Sequence, residues 1–164
     1  MQDIKLIRSS QKDIDLISAL AKVVWNQYYP AIISEQQINY MLAKMYSKES
    51  LQEQMEENGH LFFLIQFADS IIGFISVHDE NENNWFLNKF YINQEVAARG
   101  IGIRAFKELL KIIHPSKITL TVNRQNFKSI NFYFKNGFKI ERVADFNIGG
   151  GYVMNDFVMV WVKR

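Results

Sequence analysis

Hydrophobic and polar positions divide the chain into segments with either a two-residue or a helical period. Apolar residues alternate with polar ones at about residues 3–8 and at 117–122, which predicts two β-strands. Two apolar runs, at 61–67 and 71–78, flank a turn around Asp69 and predict a hairpin. The bulky segment 86–92 predicts a further strand, and the last two strands are predicted in FKIERVA and YVMNDFVMVWV.

The first helical segments are marked by side chains that cap helices. Three- and four-residue apolar spacing predicts a helix from a cap at Ser10 to about Gln27. Ser34 with Gln37 three residues on predicts a capping box for a second helix, and Ser47 predicts the cap of a third.

Two more helices follow the later strands. One is predicted from apolar residues at helical spacing, namely Ile103, Phe106, Leu110 and Ile113. The other runs from about residue 126 to 136, with Gly137 just beyond its C-terminus.

The order of these elements predicts the class of fold. A strand, helices, a three-stranded meander, a helix, a strand, a helix and two strands predict a mixed α/β sheet with helices on both faces. The connection from 86–92 to 117–122 is expected to join parallel strands. Because the 164 residues contain no repeat, low-complexity tract or linker, one domain spanning residues 1–164 is expected.

Composition and charge narrow the functional classes. The chain is 48% hydrophobic with a formal net charge of +2, and its Lys and Arg residues are scattered, so no nucleic-acid partner is predicted. It contains no cysteine, and no Asp, Glu or His cluster has metal-ligand spacing, so no metal is expected. The chain has neither a long apolar span nor a signal-peptide pattern near its start, so we expect no membrane partner and a cytoplasmic location.

The turn between the strand at 86–92 and the next helix is suited to an anion. Its sequence is Arg99-Gly100-Ile101-Gly102-Ile103. The glycines let backbone approach a bulky group, and the first helical turn has unpaired N–H donors at the positive end of the helix dipole. The turn is therefore a candidate phosphate site, although this signal alone is weak.

A second chemistry-bearing segment follows the strand at 117–122. Helical spacing places three polar side chains on one face: Asn126, Ser129 and Tyr133. The opposite face is predicted to point into the core with Phe127, Ile130 and Phe134. Tyr133 is a candidate general acid, because a phenol in a cleft can donate a proton.

These two segments resemble motifs of the GCN5-related N-acetyltransferase (GNAT) superfamily. The segments are FYINQEVAARGIGIRAFKELL and LTVNRQNFKSINFYFKNGFKI. The first resembles the acetyl-CoA pyrophosphate loop, Gln/Arg-x-x-Gly-x-Gly/Ala, and the second the Asn…Tyr…Gly-Phe segment beside the pantetheine arm. The resemblance implies a mostly antiparallel sheet of about seven strands and acetyl transfer from acetyl-CoA to a primary amine by direct attack. The implied acceptor is a small molecule, polyamine-like or otherwise, or a peptide, and the implied assembly is a monomer or homodimer.

The resemblance also implies roles for individual residues. Backbone groups of Phe90, Tyr91 and Ile92 would contact the pantetheine amides. The N–H groups around the pyrophosphate would come from Ala98, Arg99, Gly100, Ile101, Gly102 and Ile103. Asn126 and Ser129 would also bind the cofactor, and Tyr133 would protonate the departing thiolate.

The sequence departs from the family pattern in ways that leave alternatives open. Ala97 stands where the loop usually begins with Gln or Arg, and the strand LNKFYI lacks the glutamate that often serves as base, so the base is unassigned. The alternative function is a sensor that binds acyl-CoA without turnover. Four residues are weaker candidates for acceptor contact, since the first three are more often packing residues and an isolated histidine is more often structural or solvated: Trp25, Tyr28, Tyr29 and His78.

Overall fold

One seven-stranded sheet forms the centre of the protein, for which a computed structural model describes residues 3–164. The strands are β1 (Ile4–Arg8), β2 (Leu61–Phe67), β3 (Ser70–Asp79), β4 (Asn84–Ile92), β5 (Lys117–Asn123), β6 (Lys139–Gly149) and β7 (Tyr152–Val162). Their order is β1-β2-β3-β4-β5-β7-β6, and every pair is antiparallel except β4–β5. The predicted mixed, mostly antiparallel sheet is confirmed.

Helices cover both faces of this sheet, as predicted. They are α1 (Ile14–Tyr28), which follows a single turn of 3-10 helix at Gln11–Asp13, α2 (Glu35–Tyr46), α3 (Lys48–Glu56), α4 (Ile101–Ile113) and α5 (Phe127–Lys135). The first three helices share one apolar core with the sheet, and α4 and α5 share a second core on the other face. Within the described residues, no helix is long and apolar enough to cross a bilayer.

The caps at Ser34 and Ser47 form as predicted, whereas Ser10 precedes the 3-10 turn and not α1 itself, and the predicted capping box at Ser34 does not close. Ser34 Oγ accepts from the Gln37 backbone N–H at 3.1 Å, and Ser47 Oγ accepts from that of Ser50 at 3.2 Å. The Gln37 amide does not reach back to Ser34 and donates to the Val153 carbonyl at 3.2 Å. A long-range contact to β7 therefore replaces half of the local motif.

The prediction for the buried face of α5 was wrong at two positions. Phe127 and Phe134 are 69% and 47% exposed, whereas Ile130 and Tyr133 are 6% and 9% exposed. Both faces of this helix carry apolar side chains at helical spacing, so periodicity alone does not decide which one meets the sheet. In the structure, Tyr133 and Ile130 both point inward and pack in the core between α5 and the sheet.

Two other predictions differ in detail. The buried side of α4 is formed by Ile101, Ala105, Phe106, Leu109 and Ile113, while Ile103 and Leu110 are only half-buried. Strand β6 continues beyond FKIERVA, because its ladder with β7 extends to the pair of Gly149 and Tyr152.

Strands β4 and β5 separate after a short parallel ladder. Their last pair is Phe86 with Thr119, although β4 continues to Ile92 and β5 to Asn123. A register shift against β3 leaves Asn88 without a pairing partner, and such a bulge bends its strand. The result is a wedge between β4 and β5 that opens toward the N-termini of α4 and α5.

Candidate active site

Two cavities meet at this wedge. The large cavity, about 700 Å³, lies between β4, β5, β7 and α1, and the small cavity, about 350 Å³, lies between the loop before α4 and helix α5. Three residues line both cavities: Phe90, Ser129 and Tyr133. A molecule that passes from one cavity to the other would therefore pass Tyr133.

The N-terminus of α4 presents unpaired donors beside the small cavity. Gly100 begins the helix with a φ of +83°, a left-handed conformation that glycine adopts without a steric penalty. The Ile101 N–H donates to the Ala98 carbonyl at 3.2 Å. Within residues 3–164, the N–H groups of Gly102 and Ile103 have no acceptor, so they are the donors left for an anion.

Gly102 also permits close packing of α4 on α5. A Cβ at this position would lie 2.8 Å from Cε2 of Phe132, a distance that a real Cβ does not tolerate. Phe132 in turn lies against Phe90, with 5.4 Å between ring centroids. The role of Phe132 was not predicted from the sequence, because α5 carries several aromatic residues and nothing in their spacing shows which of them contacts Gly102.

Four of the six loop residues that were predicted to contact the cofactor line the small cavity. Ala98, Arg99, Ile101 and Gly102 line the small cavity, together with Ala97 and Ile92. Gly100 and Ile103 do not line it, although both lie in the same turn.

Gln94 connects the two sides of the small cavity. Its amide donates to the Ile92 carbonyl at 2.9 Å and to the Tyr28 hydroxyl at 2.6 Å, and its Oε1 accepts from Lys128 Nζ. Neither Gln94 nor Lys128 was predicted. Both lie within the two motif segments, but nothing in their spacing distinguishes them from solvent-exposed polar residues.

Asn126 positions the start of α5. Its Oδ1 accepts from the Ser129 backbone N–H at 3.2 Å, so it is the helix cap, and its side chain is buried against the large cavity. Its amide NH₂ group lies within hydrogen-bonding reach of the Tyr29 hydroxyl, on which it acts as a donor. Asn126 therefore combines a structural role with a polar group in the site.

Tyr133 is a buried side chain, 9% exposed, at the junction of the two cavities. Within the described residues, no hydrogen bond ties its hydroxyl to another group of the protein. Burial raises the pKa of Tyr133 well above the ordinary tyrosine value, so the phenol is protonated at neutral pH. It can donate that proton to a basic atom at the junction of the two cavities.

An aromatic cluster forms one wall of the large cavity. The rings of Trp25 and Tyr29 are 4.2 Å apart, and the hydroxyls of Tyr29 and Tyr91 are 2.9 Å apart. Burial raises the pKa of Tyr29 to about 12. Of the three aromatic residues predicted to contact the acceptor, Trp25 and Tyr29 line the large cavity and Tyr28 lines the small one.

His78 lines neither cavity. Its Nδ1 lies 2.9 Å from the Asn88 Oδ1, and its ring stacks on His60 with 4.8 Å between centroids. These contacts give His78 a packing role at the outer part of β3.

The large cavity contains two buried charged residues that sequence reasoning missed. Lys89, 8% exposed, donates to Gln54 Oε1 at 2.6 Å, and burial lowers its pKa to about 8. Asp156, 6% exposed, lies on β7, and burial raises its pKa to about 6. The sequence did carry a signal for both residues. Lys89 in KFYI and Asp156 in NDFV each place a charge at a strand position where the alternating pattern points inward.

The sequence matches the Acetyltransferase (GNAT) domain family over residues 31–147. The chain belongs to this GNAT family. It is 34% identical over 145 residues to the spermidine N(1)-acetyltransferase of Thermoplasma acidophilum, which covers 84% of this chain and 89% of that protein. This GNAT chain is therefore an N-acetyltransferase, as the two motifs predicted, and an enzyme is favoured over a sensor without turnover.

Solved structures of GNAT proteins share the fold over nearly the whole chain. The PaiA N-acetyltransferase from Thermoplasma acidophilum, in complex with coenzyme A, is 28% identical with a TM-score of 0.81, covering 98% of this chain and 99% of that one. A GCN5-related N-acetyltransferase from Rhodopseudomonas palustris is 15% identical with a TM-score of 0.77, covering 99% and 96%. The second likeness is one of fold alone.

Proposed function

We propose that this N-acetyltransferase moves the acetyl group of acetyl-CoA to a primary amine of a small, polyamine-like molecule. The observation that carries the proposal is the protonated phenol of the buried residue Tyr133 where the two cavities meet. The acceptor class is supported by the similarity to a spermidine N(1)-acetyltransferase. The coenzyme is supported by the coenzyme A complex of the PaiA protein.

The residues around the small cavity fit coenzyme A. The free N–H groups of Gly102 and Ile103 would bind its pyrophosphate at the positive end of α4, with Arg99 and Lys128 as cations nearby. The edge of β4 that turns away from β3 is unpaired beyond Phe86 and would bind the pantetheine amides. The thioester would then lie beside Tyr133.

The transfer proceeds by direct attack in a ternary complex. The acceptor nitrogen attacks the thioester carbonyl, which a backbone N–H at the end of β4 polarises. Tyr133 gives its proton to the sulfur as the carbon–sulfur bond breaks. A cysteine-bound acyl-enzyme has no place in this scheme, because the chain contains no cysteine.

A panel of acceptors tests the proposal. Release of free thiol from acetyl-CoA would be followed with spermidine, a short diamine, a monoamine and a lysine-containing peptide, and each product identified by mass spectrometry. We expect the polyamines to give the highest kcat/KM and a product heavier by one acetyl group. Turnover restricted to the peptide would reject the acceptor class, and no turnover with any amine would reject the reaction.

A further inference from the structure

Asp156 is a carboxylate on the wall of the large cavity, on the far side of the wedge from β4. Its strand partners are Asn123 of β5 and Ala144 of β6. Asn123 and Thr121, which also line the large cavity, end β5 where the wedge is open. The side chain therefore shares one space with Tyr29, Asn126 and Tyr133.

One oxygen of this carboxylate lacks a partner. Within residues 3–164, Oδ1 of Asp156 is buried and accepts no hydrogen bond, although buried acceptors are almost always paired. The nearest cation does not fill this place. Arg124 pairs with Asp145 at 3.0 Å, and its second contact is with the backbone carbonyl of Asp156 at 3.5 Å. Asp156 thus lines the large cavity as a buried carboxylate, and one of its two oxygens lacks a donor.

We infer that Asp156 binds the ammonium group of the acceptor and takes a proton from it, so that the free amine can attack the thioester. This inference rests on the proposed function and supplies the base that it lacks. An ammonium carries three donors, so it can satisfy Oδ1 and also reach neutral oxygens of the same cavity. Charge-assisted hydrogen bonds of this kind are the strong ones.

The protonation behaviour of Asp156 suits a base at neutral pH. Burial raises its pKa to about 6, against the opposing effects of Arg124 and the Thr121 hydroxyl and with a smaller contribution from Asp145. Two tyrosines share the cavity with it: Tyr29 of α1, whose own pKa is raised in part by Asp156, and Tyr133 of α5. At neutral pH the carboxylate is ionised, and it accepts a proton more readily than an exposed aspartate.

The distribution of charge within the large cavity supports the same assignment. The strand β4 carries Asn88 and Lys89 at its bulge, and neither can serve as an anionic partner for an ammonium. Lys89 would repel an ammonium that approached β4 on its side of the cavity. Two other carboxylates line this cavity, Glu80 and Glu141, but they lie at the opposite end of β4 and β5, where Glu141 is 4.0 Å from Lys117. The carboxylate that shares the open end of the wedge with Tyr133 is therefore Asp156.

The proton and electron transfers balance. The acceptor R–NH₃⁺ gives one proton to the Asp156 carboxylate, and the freed lone pair forms a C–N bond with the thioester carbonyl carbon. The C–S bond breaks, its electron pair goes to sulfur, and sulfur takes the proton of Tyr133. The second proton lost by nitrogen restores the Tyr133 hydroxyl through solvent, and the proton on Asp156 passes to solvent when the product leaves.

The experiment compares Asp156→Asn with wild type and with Asp69→Asn, using spermidine at saturating acetyl-CoA. Asp69→Asn removes an exposed carboxylate from the turn between β2 and β3, outside both cavities, so it controls for loss of a negative charge and should behave as wild type. In wild type, kcat/KM should fall below about pH 6 and level off above it. Asp156→Asn should lower kcat at pH 7 by roughly 10²–10⁴-fold and abolish the plateau, so that the rate follows the free amine upward by about tenfold per pH unit.

A second acceptor separates proton transfer from a structural defect. An alkoxyamine is neutral at pH 7 and needs no base, so the deficit of Asp156→Asn relative to wild type should shrink to about tenfold or less. Acetyl-CoA affinity, measured by calorimetry, should be unchanged. If Asp156→Asn does not fold, Asp156→Glu is used, and it should retain the fall of kcat/KM at low pH.

The proposed function and the role of Asp156 can be rejected separately. If wild type releases no thiol with any amine, the proposed function is rejected, and the role of Asp156 with it. If wild type turns over spermidine but Asp156→Asn keeps the plateau, or loses equal activity on both acceptors, the role of Asp156 is rejected while the function stands. Loss of the low-pH fall in a folded Asp156→Glu would reject that role as well.

Discussion

The two cavities differ in how far apart along the chain their parts lie. The small cavity is built mainly from the continuous stretch at 90–102 and one face of α5, and its anion donors are backbone N–H groups. The large cavity takes its walls from α1, β4, β5, β6 and β7, so its polar groups come from residues more than a hundred positions apart. A backbone site for an anion can be encoded locally, whereas the proposed acceptor site depends on the packing of the whole sheet.

The charged residues of the two cavities also differ in how exposed they are to solvent. Arg99 and Lys128 beside the small cavity are exposed, while Lys89 and Asp156 in the large cavity are 8% and 6% exposed. Burial shifts the pKa of both buried groups toward neutrality, to about 8 and about 6. The small cavity is thus suited to binding, and the large cavity to proton transfer.

The largest effect is expected at the junction of the two cavities. Tyr133→Phe removes only the hydroxyl that would protonate the departing sulfur, and kcat should fall by roughly 10²–10⁴-fold. The KM for acetyl-CoA should change little, because the ring remains packed between the cavities. Steady-state kinetics across pH would measure both parameters.

A second variant controls for the stability lost when a hydroxyl is removed from a buried tyrosine. Tyr46→Phe deletes the same atom from a residue that is 2% exposed and lines neither cavity, and because this hydroxyl accepts from Trp25 Nε1 at 3.3 Å, its loss of stability should be at least as large. Its kcat should stay close to that of wild type. Equal losses in the two variants would assign the effect at Tyr133 to stability and not to catalysis.

The buried cation of the large cavity should appear in the pH dependence of stability. In the unfolded chain Lys89 has a pKa near 10.5, and in the folded chain burial lowers it to about 8. Between these values the unfolded chain binds a proton that the folded chain does not, so the free energy of unfolding rises with pH, by about 3 kcal/mol in total. Lys89→Met should flatten this rise, as measured by chemical denaturation from pH 8 to 10.

The window ends near pH 10 because the buried tyrosines act in the opposite direction. Burial raises the pKa of Tyr29 to about 12, so above pH 10 the unfolded chain ionises first and stability falls. Lys107→Met, at an exposed position of α4, is the control and should leave the slope unchanged. A Lys89→Met protein with the wild-type slope would show that another group causes the rise.

The packing of the small cavity is tested by Gly102→Ala. The added Cβ would lie 2.8 Å from the Phe132 ring, so α4 must shift and its free N–H groups would move. Because overpacking costs about 1–3 kcal/mol, the KM for acetyl-CoA should rise by roughly tenfold or more with a smaller change in kcat.

A second substitution identifies the cause. In the double variant Gly102→Ala, Phe132→Leu the added methyl group has room, and most of the loss in KM should be recovered. Gly100→Ala provides the contrast, since no atom lies within 4 Å of its added Cβ and only the φ of +83° opposes it. If Phe132→Leu rescued both alanine variants equally, the steric explanation would be wrong.

The difference between the cavities also explains what the sequence could predict. The fold and the loop at 98–103 were predictable because strand periods, caps and the glycine turn are local signals. Phe132 and Asp156 were not, because each acquires its role from a contact that no spacing encodes: Phe132 from Gly102 across two helices, and Asp156 from the wedge between β4 and β5. The inward face of α5 was mistaken for the same reason, since only docking on the sheet distinguishes Tyr133 from Phe134.

The smallest effect is expected for the exposed cation of the small cavity. Lys128 contacts Gln94 and lies 5.9 Å from the ring of Tyr28, where it can face the phosphates of coenzyme A. Since an exposed charge contributes little and is screened by salt, Lys128→Ala should raise the KM for acetyl-CoA only about two- to fivefold, and this difference should fade in high salt. Lys135→Ala, at the other end of α5, should change nothing. A salt-independent loss in Lys128→Ala would mean that the lysine acts by holding Gln94 against Ile92, so that the small cavity, like the large one, depends on a contact between distant segments.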